Sequence, residues 1–156
     1  MAAWARDVGV ELRFIEFMPL DGAGRWAADQ VVPRDEILAR IAAVFPLEPF
    51  GDTARGPEPA ERFRYADGAG TVGVIATVSD AFCHSCDRVR LTADGHVRAC
   101  LFALEEVDLR KPLRAGADDD ELASLIEASV RSKWAGHRIS QPVFVRPHRS
   151  MSQIGG

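Results

Sequence analysis

The alternation of apolar and polar positions along the chain predicts a mixed α/β fold. Residues 1–8 are predicted to form the end of a helix, and residues 11–18 (ELRFIEFM) form a nearly continuous apolar run. Such a run is typical of a strand that is buried on both faces, as in a parallel sheet. Pro19 ends this strand, and the sequence DGAG at 21–24 predicts a turn.

A helix is predicted over residues 33–45. Pro33 suits its first position, and the acidic residues that follow suit the positive end of the helix dipole. Ile37, Ile41 and Phe45 recur at helical spacing and form one apolar face. We therefore expect this helix to pack on a sheet through that face.

The remainder of the chain predicts antiparallel strands and one long helix. After a loop at 48–61, strands are predicted at 62–66 and 71–78 around a DGAG turn. The segments DRVRLT and HVRACLF flank Ala-Asp-Gly and indicate a hairpin. A helix is predicted over 118–134, and its acidic start suits a helix N-terminus. Four apolar positions form its predicted buried stripe: Leu122, Leu125, Ile126 and Val130.

The first predicted strand lacks the parallel neighbours that its apolar character requires. The later strands have the pattern of an antiparallel meander, which needs no such partner. The first segment is therefore interpreted as the last part of an α/β layer whose earlier strands lie outside this chain.

Composition narrows the classes of function. The 156 residues carry a net charge of −4, which argues against a nucleic-acid partner bound through a general basic surface. No run approaches the roughly 20 apolar residues of a membrane span, and the first residues do not have the pattern of a secretory signal. We therefore expect a cytoplasmic protein without a membrane partner. Three cysteines are too few for a disulfide framework and are available for metal binding.

Cys83 and Cys86 stand two residues apart, a spacing that lets one tight loop present two sulfurs to one metal. The hairpin decides where Cys100 lies. A three-residue turn over Ala93, Asp94 and Gly95 pairs Arg90 with Arg98 and Arg88 with Cys100, whereas a two-residue turn would move Cys100 to the other face. With the longer turn, one face carries five side chains: Cys86, Arg88, Arg90, Arg98 and Cys100.

Arginines that face each other across two strands repel, so this face is expected to meet an anion. Thiolates on an iron–sulfur cluster are one such anion, and a phosphorylated ligand is another. Spacing alone favours a zinc site, with His84 or His96 as the fourth ligand, and a redox pair of Cys83 and Cys86 also remains open. The missing fourth cysteine favours a four-iron cluster with one open iron.

Other candidate residues lie outside this block. Glu16 is expected to pair with an arginine at the end of the first strand. Met18, at the same end, is interpreted as a core residue, although strand ends of α/β layers also carry active sites. Gly155 and Gly156 are interpreted as a flexible tail, with a carrier-type thiocarboxylate terminus as the weaker alternative.

Four segments that span nearly the whole chain carry a resemblance to a known family: FIEFMPLDG (14–22), VGVIATVS (72–79), FCHSCDRVRLTADGHVRACLF (82–102) and MSQIGG (151–156). Together they resemble the C-terminal half of the GTP 3′,8-cyclases, radical-SAM lyases of molybdenum cofactor biosynthesis. The family reaction removes a hydrogen from C3′ of GTP, and the resulting radical attacks C8 of the purine.

The resemblance implies a role for each candidate residue. It implies a [4Fe–4S] cluster on Cys83, Cys86 and Cys100, with an open iron that binds the guanine of GTP. It implies GTP binding by Arg88, Arg90 and the backbone of Val89. It also places Met18 at the S-adenosylmethionine site. The terminal Gly155 and Gly156 are implied to enter the active site and to assist the start of catalysis.

The resemblance further implies the tail end of a partial TIM-type radical-SAM barrel over residues 1–48. An antiparallel-strand and helix region that binds the cluster and GTP would follow over residues 49–156. The CxxxCxxC motif of the family's first cluster is absent from this chain. The chain alone is therefore expected not to generate the radical. It is interpreted as a fragment, a truncated gene product, or a half that needs a separate N-terminal half as a partner. A homodimer is a further expectation, because the family tends to be dimeric.

Two alternatives stay open from the sequence. The chain could be a non-catalytic module that binds zinc or an iron–sulfur cluster for structure and docks on a partner. It could also be a decayed fragment that folds poorly, because a buried-type strand without neighbours favours aggregation.

Overall fold

A computed structural model gives the fold, and it describes residues 1–51, 57–133, 139 and 144–154. The chain divides into two compact units, which are described separately. The first unit comprises residues 1–18 and 27–86, and the second comprises residues 19–26 and 87–156. The mixed α/β class is confirmed, whereas the functional division between residues 48 and 49 stays a prediction.

In its described residues, the first unit contains two α-helices and a four-stranded sheet. Its elements are α1 (Ala2–Val8), β1 (Leu12–Ile15), α2 (Arg34–Ala42), β2 (Leu47–Pro49), β3 (Glu61–Tyr65) and β4 (Thr71–Ile75). The strand order is β1-β4-β3-β2. Strand β4 pairs in parallel with β1 and antiparallel with β3, which in turn pairs antiparallel with β2.

The first strand differs from its prediction in two ways. It has a neighbour within the chain, because Leu12 pairs with Val72 and Ile15 pairs with Ile75 of the strand that was assigned to the meander. It is also shorter than predicted, and its positions alternate between half-buried and exposed, with Ile15 57% exposed. The prediction of burial on both faces was wrong, because β1 is an edge strand and only one of its faces packs on the core.

The core of the first unit forms where α2 packs on the sheet. Ile41, Tyr65 and Val72 are buried together. The apolar face predicted for α2 is confirmed, because Ile37 and Phe45 pack against this cluster. The prediction of a loop over residues 48–61 was wrong at both ends. Residues 48 and 49 belong to β2, whose pairing with β3 the proline-rich pattern concealed, and Glu61 is the first residue of β3.

A half-buried carboxylate connects the first strand to its neighbours in the sheet. Glu11 accepts hydrogen bonds from Arg13 Nε at 2.6 Å, Arg62 Nη2 at 2.6 Å and Thr71 Oγ1 at 2.6 Å. Burial by itself raises the pKa of Glu11, but the hydrogen bonds from Thr71, Arg13 and Arg62 outweigh burial and lower the pKa to about 2. The carboxylate therefore stabilises the fold in its charged form.

We predict that Glu11→Gln lowers the free energy of unfolding by about 1.5–3 kcal/mol at neutral pH, because charged hydrogen bonds of this kind are lost. Because the pKa of Glu11 is lower in the folded protein, its carboxylate stabilises the fold fully at pH values above 4.5, the ordinary pKa of a glutamate. This contribution disappears as the pH falls toward about 2, the pKa in the folded protein. Urea unfolding at several pH values measures the difference between wild type and variant. That difference should shrink through this range.

Glu48→Gln is the matched control for this prediction. Glu48 pairs with Arg64 at the surface, where both side chains are 52% exposed. An exposed ion pair contributes about 0–1 kcal/mol, so this variant should remain close to the wild type. A Glu11→Gln effect that stays constant from neutral to acidic pH would contradict the assignment of Glu11.

The second unit contains a small three-stranded sheet and two helices. Its elements are β5 (Arg90–Leu91), β6 (His96–Arg98), β7 (Val107–Asp108), α3 (Arg110–Ala115) and α4 (Asp119–Arg131). The strand order is β5-β6-β7, with antiparallel pairing throughout. Helix α4 packs against β6 and β7. Neither β7 nor α3 was predicted, because each is too short to show a period in the sequence.

Helix α4 confirms its predicted start but not its predicted stripe. Asp118 caps the helix by accepting a hydrogen bond from the amide of Glu121. Ile126 and Val130 are 39% and 44% exposed, whereas Ser129 is buried. Helix α4 covers only a small sheet. The face that α4 buries is therefore narrower than the four apolar positions had suggested. Within the described residues, no helix is long and apolar enough to cross a membrane.

Candidate functional site

Cys83 and Cys86 lie at the end of the first unit in a short turn. Residues Cys83–Ser85 form a single turn of 3-10 helix, in which the amide of Cys86 donates to the carbonyl of Cys83 at 3.3 Å. The amide of Ser85 donates to the carbonyl of Phe82 at 3.2 Å. The turn keeps both thiols half-buried, and neither is in a disulfide. This geometry agrees with the tight loop that the spacing predicted.

The hairpin of the second unit has the predicted three-residue turn. Arg90 lies opposite Arg98, and the amide of Thr92 donates to the carbonyl of His96 at 2.9 Å. Gly95 has a φ of 84°, in the left-handed region that this turn requires. The two-residue alternative is therefore excluded.

The two facing arginines have different environments. Arg98 is only 2% exposed; its guanidinium forms an ion pair with Glu106 and donates to the carbonyl of Ala103 at 2.6 Å. Arg90 is half-buried. The prediction that Arg98 meets an anionic ligand was wrong, because Glu106 compensates its charge within the unit.

The third cysteine lies just beyond this ladder. Strands β5 and β6 form two residue pairs, Arg90 with Arg98 and Leu91 with Val97. The predicted pairing of Arg88 with Cys100 lies beyond these two pairs and is not formed in the ladder. Cys100 is half-buried, and its Sγ accepts a hydrogen bond from the amide of Phe102 at 3.4 Å. Such an N–H···S bond stabilises negative charge on a sulfur, as at the thiolate ligands of metal centres.

The segment before the hairpin carries the other predicted binding residues. Arg88 is half-buried, and Val89 is 45% exposed. The ammonium group of Lys133 donates to the carbonyl of Arg88 at 2.8 Å. A side chain from the end of α4 therefore holds the backbone between the cysteine turn and β5.

Glu16 differs from its prediction. It is 2% exposed. Among the residues that the structure describes, no arginine side chain pairs with it; its carboxylate accepts from the backbone amides of Arg34, Val78 and Ser79 at 2.8, 2.7 and 2.9 Å, and from the Ser79 hydroxyl. The expected arginine pairing was wrong, because the amide at the start of α2 and those after β4 converge on this carboxylate. Glu16 therefore joins three segments of the first unit.

Three further predicted residues are Met18, Gly155 and Gly156. Met18 is half-buried, three positions beyond the end of β1. Gly155 and Gly156 lie outside the described residues. Within the part of the chain that the structure describes, no group of three or more His, Cys, Asp or Glu side chains is arranged to hold a metal ion.

The sequence did not indicate a charged cluster that involves the hairpin turn. Arg149 donates to the Asp94 carboxylate at 2.7 Å, and its Nε lies 2.8 Å from the Glu106 carboxylate that also pairs with Arg98. The guanidinium of Arg149, aided by the Thr92 hydroxyl, holds the pKa of Asp94 well below its usual range. No periodic pattern links these residues, since they lie in three separate segments.

Comparison with known proteins places the chain in a family. The model of the Molybdenum Cofactor Synthesis C family matches residues 10–139. The chain belongs to this family. The match to the Molybdenum Cofactor Synthesis C family includes all three cysteines and the whole hairpin.

Curated relatives of the chain are GTP 3′,8-cyclases. That of Mycolicibacterium smegmatis is 53% identical over 152 residues, which cover 95% of this chain and 42% of the relative. That of Rhodococcus opacus is 48% identical over 98% of this chain and 43% of the relative. That of Streptomyces coelicolor is 47% identical over 100% of this chain and 46% of the relative. The chain therefore spans less than half the length of these relatives and corresponds to their C-terminal half.

We predict that Gly95→Ala destabilises the protein more than Gly116→Ala does. Both glycines have a positive φ, 84° at Gly95 and 91° at Gly116. An alanine in this conformation lowers the free energy of unfolding by about 1–2 kcal/mol. Only at Gly95 would the new Cβ lie 2.7 Å from Arg110 Cβ, which adds about 1–3 kcal/mol of overpacking. Urea unfolding of both variants measures the two costs. Equal costs would contradict the close approach of the turn to α3.

Proposed function

We propose that the chain is the GTP-binding half of a GTP 3′,8-cyclase of molybdenum cofactor synthesis. The observation that carries this proposal is the 53% identity to a GTP 3′,8-cyclase over 95% of the chain. That match includes the cysteine block, in which sulfurs, arginines and a hairpin occur within one short stretch. The proposed ligands are a [4Fe–4S] cluster and GTP.

The three cysteines fit an iron–sulfur cluster by their chemistry. Thiolates are the ligands of such clusters, and a CxxC turn supplies two of them from one short segment. The N–H···S bond at Cys100 is of the kind that tunes cluster ligands. We assign Cys83, Cys86 and Cys100 as the ligand set. A four-iron cluster on three thiolates leaves one iron able to accept a nitrogen or oxygen atom of the substrate.

Arg88 and Arg90 are proposed to bind the phosphates of GTP. A guanidinium group binds phosphate with two parallel hydrogen bonds, which gives both affinity and orientation. Arg90 belongs to β5, and the carbonyl of Arg88 is held by Lys133, so both residues start from an ordered backbone. Arg98 is excluded from this role by its ion pair with Glu106. The exposed backbone at Val89 completes the proposed GTP contacts.

The chain requires a second half for the complete reaction in this proposal. Three cysteines serve one cluster, so the radical from S-adenosylmethionine would come from an N-terminal half that the relatives contain and this chain does not match. Residues 1–48 are proposed as the end of a partial barrel, with Met18 at the S-adenosylmethionine site. Gly155 and Gly156 are proposed to assist the start of catalysis, and a homodimer is proposed as the assembly.

The edge of the first sheet suits an N-terminal half as a partner. Among the described strands, only β4 pairs with β1, and Ile15 and Phe17 are 57% and 38% exposed. An exposed edge strand with apolar side chains is a template for further strand pairing. We propose that the strand of the other half that precedes β1 in the barrel pairs here.

Anaerobic purification with iron and sulfide analysis tests the cluster. We predict about four irons and four sulfides per chain, with visible absorption that Cys100→Ser abolishes. His84→Ala and His96→Ala are matched controls that should keep the absorption. Stoichiometric zinc without iron, lost on replacement of either histidine, would instead establish a zinc-binding module.

GTP titration of the 156-residue chain with its cluster tests the binding residues. We predict that Arg88→Ala and Arg90→Ala each weaken binding by about 1.5–3 kcal/mol, because each loses charged hydrogen bonds. Arg131→Ala is the matched control, because Arg131 is exposed on α4, where it forms a surface ion pair with Glu127. Unchanged affinity in both variants would favour a structural role for the metal centre.

A further inference from the structure

The last described residues of the chain are held at several points of the second unit. The guanidinium of Arg146 donates to the carbonyl of Trp26 at 2.7 Å. The amide of Met151 donates to the carbonyl of Leu20 at 2.9 Å. Ile154 is 1% exposed, although it lies two residues from the end of the sequence. The described segment from residue 144 to Ile154 is therefore held against the second unit by these contacts.

Arg149 connects this segment to the hairpin that carries the proposed GTP-binding residues. Its guanidinium contacts two carboxylates at once, that of Asp94 in the hairpin turn and that of Glu106 before β7. Arg149 and Glu106 are 25% and 13% exposed, and Glu106 also pairs with the buried Arg98. Such a network stabilises more than an isolated surface pair does, because Arg149 and Glu106 are largely shielded from water and each has two charged partners, although Asp94 is 41% exposed.

We propose that Arg149 is a positioning residue for the diglycine: through Asp94 and Glu106 it holds the segment Ser150–Ile154, which directly precedes Gly155 and Gly156 in the sequence, against the hairpin. The role of the diglycine rests on the proposed function, whereas the anchoring itself does not. Arg149 touches no substrate in this account; it acts through the segment Ser150–Ile154.

Hydrogen exchange followed by mass spectrometry tests the anchor in the 156-residue chain. Arg149→Gln should speed exchange of the peptide over 149–154 at least tenfold, because without the anchor the hydrogen bond from the Met151 amide to the Leu20 carbonyl opens more often. The peptide over 90–98 should stay within twofold of the wild type. Arg131→Gln is the matched control, because it also removes one arginine but lies on α4, and it should leave both peptides unchanged.

Two further variants separate positioning from folding. Asp94→Asn should also speed exchange over 149–154, and the double variant with Arg149→Gln should be no faster than Arg149→Gln alone. Arg149→Lys keeps the positive charge. The logarithm of its exchange rate over 149–154 should therefore lie at least halfway from the Arg149→Gln value back to the wild-type value. Exchange within twofold of the wild type in Arg149→Gln would overturn the proposal, as would equal acceleration of the hairpin peptide.

GTP titration of the same variants keeps the two proposals distinguishable. Arg149→Gln should bind GTP within twofold of the wild type, because Arg149 is placed outside the GTP contacts. A parallel loss of GTP affinity would overturn the separate positioning role. If the wild-type chain binds no GTP, the proposed function fails, while the exchange data still decide whether Arg149 anchors the terminus.

Discussion

The left-handed conformation of Gly95 is the constraint on which the second unit depends. Its amide closes the turn by donating to the carbonyl of Thr92 at 3.0 Å, and its carbonyl accepts from the amides of Leu109 and Arg110 at 2.9 and 3.3 Å. One residue thus sets the register of β5 with β6 and also receives the start of α3. The turn could not be shortened without moving Cys100 relative to the arginines, because side chains alternate along a strand.

The buried and half-buried charges show a common principle in both units. Glu16 is surrounded by backbone amides, Glu11 by two arginines and a hydroxyl, and Arg98 by Glu106 and carbonyl oxygens. Each charge is compensated by groups from separate segments, so each acts as a cross-link as well as a polar contact. Removal of one partner would leave the other buried without compensation, which costs more than the intact pair contributes.

Features set by neighbouring residues could be predicted from the sequence. The Ala-Asp-Gly turn gave the register of the hairpin, and helical spacing gave the packed face of α2, because both depend on a few adjacent positions. The partner of β1 and the compensation of Arg98 could not be predicted, because β4 and Glu106 belong to other segments. The exposure of Ile126 and Val130 could not be predicted either, because the width of the buried face of α4 depends on the other segments that pack against it.

The parallel pairing of β1 has a consequence for how the first sheet forms. Strands β3 and β4 are joined by a short turn, so their pairing requires closure of a small loop, whereas Leu12 must meet Val72 across a long stretch of chain. Closure of a longer loop costs more conformational entropy, and non-local pairing slows folding. We therefore expect β1 to join last during folding. Until β1 joins, the edge of β4 is unpaired. During this interval the sheet is most prone to pair with a strand of another chain.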